Sequence, residues 1–236
     1  MKFAGLVKQS LVDYPGEVTA VLFTRGCNIR CPFCQNPDLL LRSPRFVEPI
    51  SLEEALDFLK ERKGFLDAVT VTGGEPTLHE DLPHALSAFK ALGYLVKLDT
   101  NGTNPAMLQQ LIAGGILDYV AMDIKAPLDY RKYARACGKL TTEEFFNVRS
   151  SIRMLMEAGI EVEFRTTVVP LLHSFEDIEE IARYIQGAPL YSLQQFNPSV
   201  TLDTDYGAVV PYTRQEMQAL ADRCAPFVQN VRVVNI

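Results

Sequence analysis

Residues 68–98 read AVTVTGGEPTLHEDLPHALSAFKALGYLVKL, and their pattern decides the predicted fold. The apolar, β-branched run at 68–72 predicts a strand, and LVKL at 95–98 predicts another. Between them Leu82, Leu86 and Phe89 share one side of a helix that we expect Gly93 to end. A strand, a helix and a strand in this order predict a parallel pair with a right-handed crossover.

The same alternation continues along most of the chain. Further strands are predicted at 18–23, 118–122, 160–168 and 190–196. Helix starts are indicated by a Ser51–Glu54 capping box, by Asn104–Pro105 and by Ser174. Six β-then-α units are fewer than the eight of a complete barrel. The predicted fold class is therefore α/β, a partial (β/α)6 TIM-like barrel of parallel strands with terminal extensions.

The two ends of the chain are expected to extend this barrel. Residues 1–16, with a turn at Tyr14-Pro15-Gly16, are predicted to pack beside the first strand. A helix is predicted at 212–224 and a short edge strand at 230–234. The 236 residues are expected to form a single domain. It comprises a cysteine-containing loop at 24–37, a barrel core at about 18–198 and a C-terminal extension at about 199–236.

Composition excludes several classes of function. The formal net charge is -6 and the chain has no basic run, which disfavours nucleic-acid binding. No apolar stretch approaches the ~20 residues that span a bilayer, and the N-terminus has no signal-peptide pattern. We therefore expect a cytoplasmic protein without a membrane partner.

The cysteines carry the strongest chemical signal. Cys27, Cys31 and Cys34 form a C-x3-C-x2-C pattern directly after the first strand. This spacing suits a loop around a four-iron cluster, and three thiolates would leave one iron open to a small-molecule chelate. The alternative is a structural zinc site, which would need a fourth ligand such as Cys137, Cys224 or a histidine. Both of these cysteines are otherwise interpreted as isolated structural or free thiols. The histidines are expected at the surface or at helix starts: His79, His84 and His173.

Polar motifs follow the next three predicted strands. Gly73-Gly74-Glu75-Pro76 follows the second, and its glycines would let the backbone approach a ligand whose ammonium group Glu75 could bind. Asp99-Thr100-Asn101-Gly102 follows the third strand, and Asp123-Ile124-Lys125 follows the fourth. Parallel barrels place ligand sites at these strand ends. Taken singly, each motif could instead be a plain turn or a rim ion pair.

The fifth predicted strand adds an arginine. Alternation sets Val162 and Phe164 on one face and Arg165 on the other. If the apolar face meets the outer helices, Arg165 points into the barrel, where its guanidinium could bind a carboxylate or ribose oxygens. The alternative is an internal ion pair with Glu161 or Glu163.

The cysteine motif resembles that of the radical S-adenosylmethionine (SAM) superfamily. Within it, the chain is similar to glycyl-radical-enzyme activases, and most of all to anaerobic ribonucleoside-triphosphate reductase activating proteins. This closer resemblance rests on SLVDYPG at 10–16, on Phe23, on Gly26-Cys27-Asn28 and on Cys34-x-Asn36-Pro37. The resemblance runs from about Phe3 to Asn197-Pro198.

The resemblance implies cofactors and roles for the residues above. Cys27, Cys31 and Cys34 would bind a [4Fe–4S] cluster, and the GGEP motif would bind the SAM amino group. Phe33 would lie against the adenine, although simple loop packing would also explain it. The remaining candidates are implied as SAM-binding residues: Asp99 or Asp123 for ribose hydroxyls or a cation, Asn101 of the same motif, Lys125 for the SAM carboxylate or the target backbone, Arg165, and Asn197 near the adenosine. An arginine is usual in such activases where this chain has Asn197.

The activity implied is reductive cleavage of SAM followed by removal of a hydrogen atom from a glycine of anaerobic ribonucleotide reductase. A flavodoxin or ferredoxin would supply the electron. Three alternatives stay open: activation of another glycyl radical enzyme such as pyruvate formate-lyase, radical chemistry on a small molecule as in deazapurine biosynthesis, and a non-catalytic zinc or iron–sulfur module. No acid–base pair or nucleophile is expected beyond the cofactors.

Overall fold

The computed structural model describes residues 1–40 and 48–235. Its strands are β1 (Lys2–Phe3), β2 (Gly5–Ser10), β3 (Thr19–Thr24), β4 (Ile50–Ser51), β5 (Ala68–Gly73), β6 (Leu95–Thr100), β7 (Tyr119–Asp123), β8 (Glu161–Val168), β9 (Tyr191–Gln195) and β10 (Val231–Val234). Its α-helices are α1 (Leu52–Glu61), α2 (Leu82–Ala91), α3 (Pro105–Ala113), α4 (Tyr130–Cys137), α5 (Thr142–Met156), α6 (Phe175–Tyr184) and α7 (Arg214–Cys224). All six predicted core strands are present, and none of their ends is shifted by more than two residues.

The chain forms two compact units, of which the first comprises residues 1–27, 38–100 and 106–120. In this unit β3 pairs in parallel with β5, and β5 with β6. The strand–helix–strand prediction for 68–98 is confirmed, because Leu82, Leu86 and Phe89 are fully buried along α2. Gly93 follows the helix at φ +81°, a left-handed conformation that glycine adopts without steric cost.

The N-terminal segment packs where the sequence predicts. Strand β2 runs antiparallel beside β3, and the turn closes with Glu17 N–H donating to Tyr14 O (3.3 Å). The Tyr14 ring is buried and lies 5.4 Å from the ring of Tyr119 between centroids. The turn is therefore anchored in the core of the first unit by an aromatic contact.

The second unit comprises residues 28–37, 101–105 and 121–236. Strand β8 pairs in parallel with β9, and β9 with the predicted edge strand β10. The predicted C-terminal helix is present as α7. The expected single-domain organisation and the bounds of the barrel core stay predictions.

The predicted β-then-α pattern implies a helix between β7 and β8 without giving its bounds, and the structure has two helices there. Helix α4 starts where Asp129 Oδ1 accepts from the amides of Arg131 and Lys132, and it ends before Gly138 at φ +66°. Helix α5 starts with a capping box formed by Thr141 and Glu144. Both starts use ordinary capping signals. The predicted caps at Ser51 and Ser174 are also formed. No described helix is both long enough and apolar enough to cross a membrane.

Candidate functional site

The Gly73–Pro76 turn is held by the strand beside it, within the first unit. Gly74 N–H donates to Thr24 O (3.0 Å), and Glu75 N–H donates to Gly26 O (2.8 Å). A Cβ atom at residue 74 would lie 1.8 Å from Gly26 O, and one at residue 73 would lie 2.5 Å from Thr24 N and O. No side chain fits either gap, so both glycines are required by the close approach of two backbones.

The Glu75 carboxylate is buried beneath this turn, with 1% of the residue exposed. Its Oε1 accepts from Thr77 N (3.1 Å), from Thr77 Oγ1 (2.5 Å) and from Thr100 Oγ1 (2.7 Å). A buried carboxylate needs such donors, because its transfer out of water is otherwise costly. The predicted ammonium-binding carboxylate therefore has a fixed position.

Asp99 lies at the end of β6 and forms a buried ion pair with Lys97. The Lys97 ammonium also lies 5.7 Å from the centre of the Tyr119 ring. Lys97 is 2% exposed, and the sequence analysis did not single it out. The i,i+2 spacing that places both side chains on one face of a strand was the available signal.

Asn101 and the cysteine loop meet in the second unit. Asn101 Nδ2 donates to Asn28 Oδ1 (3.0 Å), and Asn28 Nδ2 donates to Glu144 Oε1 (2.7 Å) and Thr103 Oγ1 (2.9 Å). Asn101 Oδ1 accepts from Thr103 N (3.0 Å). Glu144 also caps α5 through its other oxygen. The predicted residue Asn101 thus helps to fix the loop that carries Cys31 and contacts it through Asn28, which the sequence analysis quoted as part of a motif without giving it a role.

Cys31 and Cys34 close a turn, in which Cys34 N–H donates to Cys31 O (3.0 Å). No disulfide joins any of the chain's cysteines. A hydrogen bond from the Cys137 side chain lowers the pKa of the Cys31 thiol in spite of its burial. Burial raises the pKa of the Cys34 thiol. The thiolate form, which binds iron, is therefore favoured at Cys31 more than at Cys34.

Cys137 is a free thiol, as interpreted from the sequence, but it lies beside the cysteine loop. This cysteine ends α4, only 1% of it is exposed, and its backbone oxygen accepts from Arg30 N (2.8 Å). No local pattern predicts this contact, since 106 residues separate Cys31 and Cys137. Cys224 instead is buried near Ile178 O (3.8 Å), and burial raises its pKa to about 12.

Asp123, Lys125 and Arg165 form one charged group in the second unit. Asp123 Oδ2 accepts from Lys125 Nζ (2.8 Å), and Asp123 Oδ1 accepts from Arg165 Nε (2.9 Å). Burial disfavours the carboxylate, but the two cations outweigh it and lower the pKa of Asp123 to about 2. Burial opposes the Lys125 charge too, yet Asp123 and Cys31 raise the pKa of Lys125 above its usual value. All three groups are therefore charged at neutral pH.

Arg165 has an ion-pair partner outside its own strand. Arg165 pairs with Asp123, which lies on the neighbouring segment, whereas Glu163 pairs with Arg232 on β10 (2.7 Å). The inward placement predicted for Arg165 agrees with a side chain that is 13% exposed.

Comparison with known proteins shows the family to which the chain belongs. The Radical SAM superfamily profile matches residues 21–185. The chain belongs to the radical SAM superfamily.

Relatives define its group within this superfamily. The protein named "Putative glycyl-radical enzyme activating enzyme MJ1227" of Methanocaldococcus jannaschii is 34% identical over 99% of this chain and 95% of its own length. The pyruvate formate-lyase-activating enzyme of Streptococcus mutans is 32% identical over 83% of this chain and 76% of its own length. This radical SAM enzyme therefore belongs with the glycyl-radical-enzyme activating enzymes.

A solved structure shows the same fold. Streptococcus suis SuiB bound to S-adenosylmethionine superposes on 91% of this chain with a TM-score of 0.70 and 16% identity, and the chain spans about half (52%) of SuiB. The predicted α/β class, a partial barrel of parallel strands, is confirmed. The predicted [4Fe–4S] cluster and SAM are the cofactors of the family.

The residues of this radical SAM enzyme fit these cofactors chemically. Thiol donors, one of them favoured as thiolate, are what an iron–sulfur cluster binds. A buried carboxylate such as that of Glu75 in the first unit is an acceptor for an ammonium group. Among the described residues, no three His, Cys, Asp or Glu side chains are arranged to hold a single metal ion.

The two remaining predicted residues have ordinary local roles in the structure. Phe33 is 4% exposed in the cysteine loop. Asn197 is exposed, and its Oδ1 accepts from Ser199 N (3.0 Å) in a local turn. Asn197 O also accepts from Gln35 Nε2 (3.5 Å), which connects its segment to the cysteine loop within the second unit.

His173 directly precedes the Ser174 cap of α6, at a helix start as expected, and it is fully buried. Its Nδ1 accepts from Val169 N (3.0 Å), so its Nε2–H donates to Lys125 O (2.8 Å). The amide of Lys125 donates to Tyr133 OH (3.2 Å). The backbone of the charged segment is thus held on both sides by buried side chains that the sequence analysis missed.

Proposed function

We propose that this enzyme installs a glycyl radical on anaerobic ribonucleoside-triphosphate reductase. The observation that carries the activating function is the similarity, over nearly the whole length of both chains, to a glycyl-radical enzyme activating enzyme. When bound, the cluster and SAM supply reductive carbon–sulfur cleavage and abstraction of a hydrogen atom. The protein's own residues bind, orient and shield these groups.

In this proposal Cys27, Cys31 and Cys34 are the cluster ligands. The Asn28–Glu144 bond supports the cysteine loop from α5, so that a ligand loop without regular structure starts from a defined conformation. The Lys125 ammonium adds positive charge beside Cys31, which favours its thiolate. This arrangement lowers the cost of presenting thiolates to iron.

The SAM-binding roles are assigned to groups of matching charge. Glu75 is proposed to accept the amino group of SAM, because its carboxylate is fixed by hydroxyl and amide donors at Oε1 that carry no charge. Lys125 and Arg165 are proposed to contact anionic or hydroxyl oxygens of SAM, with Asp123 fixing both side chains. Asp99, Asn101, Phe33 and Asn197 stay candidates for the adenosine or for a cation beside it.

The choice of the reductase as target rests on the SLVDYPG resemblance. Ser10 Oγ donates to Asp13 Oδ2 (2.5 Å) and accepts from Val12 N (3.2 Å), so the segment is a defined turn. Leu11 and Val12 are 70% and 84% exposed at its tip. A defined turn with exposed apolar residues supports contact with a large protein target. Pyruvate formate-lyase is the second candidate, since several relatives are activating enzymes of that protein.

The test is a radical transfer assay. The anaerobically reconstituted enzyme, SAM and reduced flavodoxin are mixed with anaerobic ribonucleotide reductase or with pyruvate formate-lyase, and a glycyl radical is sought by electron paramagnetic resonance. We expect the radical on the reductase. A radical on pyruvate formate-lyase alone would overturn the target, and SAM cleavage without either radical would favour a small-molecule substrate.

A matched pair of variants controls this assay. Cys34→Ala removes a proposed ligand, and we expect loss of the iron and of SAM cleavage. Cys224→Ala removes a buried thiol that contacts Ile178 in the helical layer, and we expect both to persist. Zinc in place of iron in the purified protein would contradict the cluster assignment. The electron donor and the cytoplasmic location stay predictions.

A further inference from the structure

The end of α4 is joined to the cysteine loop at the level of the backbone. Arg30 N–H donates to Cys137 O (2.8 Å). A Cβ atom at residue 138 would lie 2.1 Å from Arg30 O, so only glycine permits this approach. The residues beside these contacts, Cys31 and Cys137, are 6% and 1% exposed. Two thiols are thus held together away from solvent.

The backbone contacts at Arg30 and Gly138 bring Cys137 beside Cys31, and both cysteines are buried there. One turn before Cys137, the Tyr133 hydroxyl accepts from the amide of Lys125. One face of α4 therefore contacts both the charged segment at 123–125 and the cysteine loop.

We propose that Cys137 is a positioning residue whose S–H donates a hydrogen bond to the Cys31 sulfur when Cys31 is a ligand of the cluster. A thiol is a weak donor, and hydrogen bonds to the sulfurs are among the factors that set a cluster's reduction potential. Reduction adds negative charge that is shared by the ligand sulfurs, so the bond is stronger in the reduced state. Cys137 thereby raises the reduction potential. The inference rests on the cluster of the proposed function and not on the identity of its target.

The first experiment is a redox titration of the reconstituted enzyme, followed by electron paramagnetic resonance of the reduced cluster. At the midpoint potential of the wild type, we expect the ratio of reduced to oxidised cluster in Cys137→Ala to be about threefold lower. A change of this size corresponds to the loss of one weak hydrogen bond. Cys137→Ser keeps a donor, and we expect it to lie between the two. Iron content should equal that of the wild type in both variants, and Cys224→Ala should titrate like the wild type.

Two results would overturn the proposal. One is a Cys137→Ala titration that coincides with the wild type. The other is loss of iron in both Cys137 variants, which would make Cys137 a ligand instead of a donor. The titration needs no target protein, so a cluster that titrates normally but activates no reductase would refute the proposed target and leave this inference standing.

A second experiment tests the contact without any cluster. In the double variant Cys27→Ser/Cys34→Ser, the thiols left are Cys31, Cys137 and Cys224. Diamide accepts two electrons and two protons from a thiol pair and leaves a disulfide, which peptide mapping identifies. We expect Cys31–Cys137 to be the disulfide formed, with Cys224 still a thiol. Recovery of both Cys31 and Cys137 as thiols would refute the proposed hydrogen bond.

Discussion

The Gly73–Pro76 turn of the first unit and the Asp123–Lys125 segment of the second each carry a carboxylate shielded from water, but the two are held differently. Glu75 Oε1 accepts from three threonine donors, of which the amide and the hydroxyl of Thr77 lie only two residues away. Asp123 is held by the cations Lys125 and Arg165. The first arrangement depends on close backbone packing, whereas the second depends on charge.

The two regions should therefore be destabilised by different kinds of substitution. A side chain added to the Gly73–Pro76 turn would clash with neighbouring backbone atoms. The loss of one of its neutral hydrogen bonds, in contrast, would lower the free energy of unfolding only slightly. A group of buried ions is destabilised when one charge is removed, because the remaining charges are then buried without an opposite charge beside them. Four predictions test this contrast, starting with the largest effect.

Gly74→Ala should have the largest effect, because its Cβ would lie 1.8 Å from the backbone oxygen of Gly26. We expect the free energy of unfolding to fall by about 3 kcal/mol or more, measured by urea denaturation. Gly159→Ala is the control, since its Cβ would have no neighbour within 4 Å. Equal stability of the two variants would show that the turn tolerates a side chain.

Asp123→Asn should follow, since it leaves Lys125 and Arg165 without their shared carboxylate. These side chains are 15% and 13% exposed, and we expect a loss of about 2–3 kcal/mol in the same denaturation assay. Asp57→Asn is the control, because Asp57 and its partner Lys60 are 73% and 58% exposed. We expect that variant to differ from the wild type by less than about 0.5 kcal/mol. A comparable loss in both would refute the special role of charge in the second region.

Lowering the pH should reduce the free energy of unfolding through protonation of His173. Burial lowers the pKa of this histidine, although Asp177 opposes the shift, so the folded protein favours the neutral ring. Its contribution to stability is fully present above the ordinary pKa of about 6.5 and is lost as pH falls towards the lower folded value, by at most about 1.4 kcal/mol per pH unit.

This prediction is checked by denaturation at several pH values between the pKa of His173 in the folded protein and its pKa in the unfolded chain. His173→Gln should reduce the slope of stability against pH, because the group that takes up the proton on unfolding is gone. The exposed His84 provides the control, and His84→Gln should retain the wild-type slope. An unchanged slope in His173→Gln would assign the acid sensitivity to other groups.

Thr100→Val should have the smallest effect. It removes one of the three donors to Glu75 Oε1 while nearly preserving the volume of the side chain. We expect a loss of about 1 kcal/mol. Thr72→Val, at a half-buried position of β5, is the control, and its free energy of unfolding should fall by less than that of Thr100→Val. If Thr100→Val cost as much as Asp123→Asn, the distinction between neutral and charged support would fail.

The predicted and missed features differ in the range of the contacts behind them. The strands and the capping boxes at Ser51 and Ser174 follow from residues within a few positions of each other. The two helices after β7 also carry local caps, at Asp129 and Thr141, and attention to those signals would have found them. The buried position of His173 had no local signal, because its partner Lys125 lies 48 residues earlier.

The sequence by itself determined the alternation of strands and helices, the cysteine spacing and the glycine turn, because hydrophobic periodicity and backbone conformation are local properties. Only the tertiary structure decided that Arg165 pairs with Asp123, that His173 donates to Lys125 O, and that Cys137 lies beside the loop that carries Cys31. Partners of this kind depend on which elements pack together, and the free energy of burying a charge or a thiol selects among them after the fold has formed.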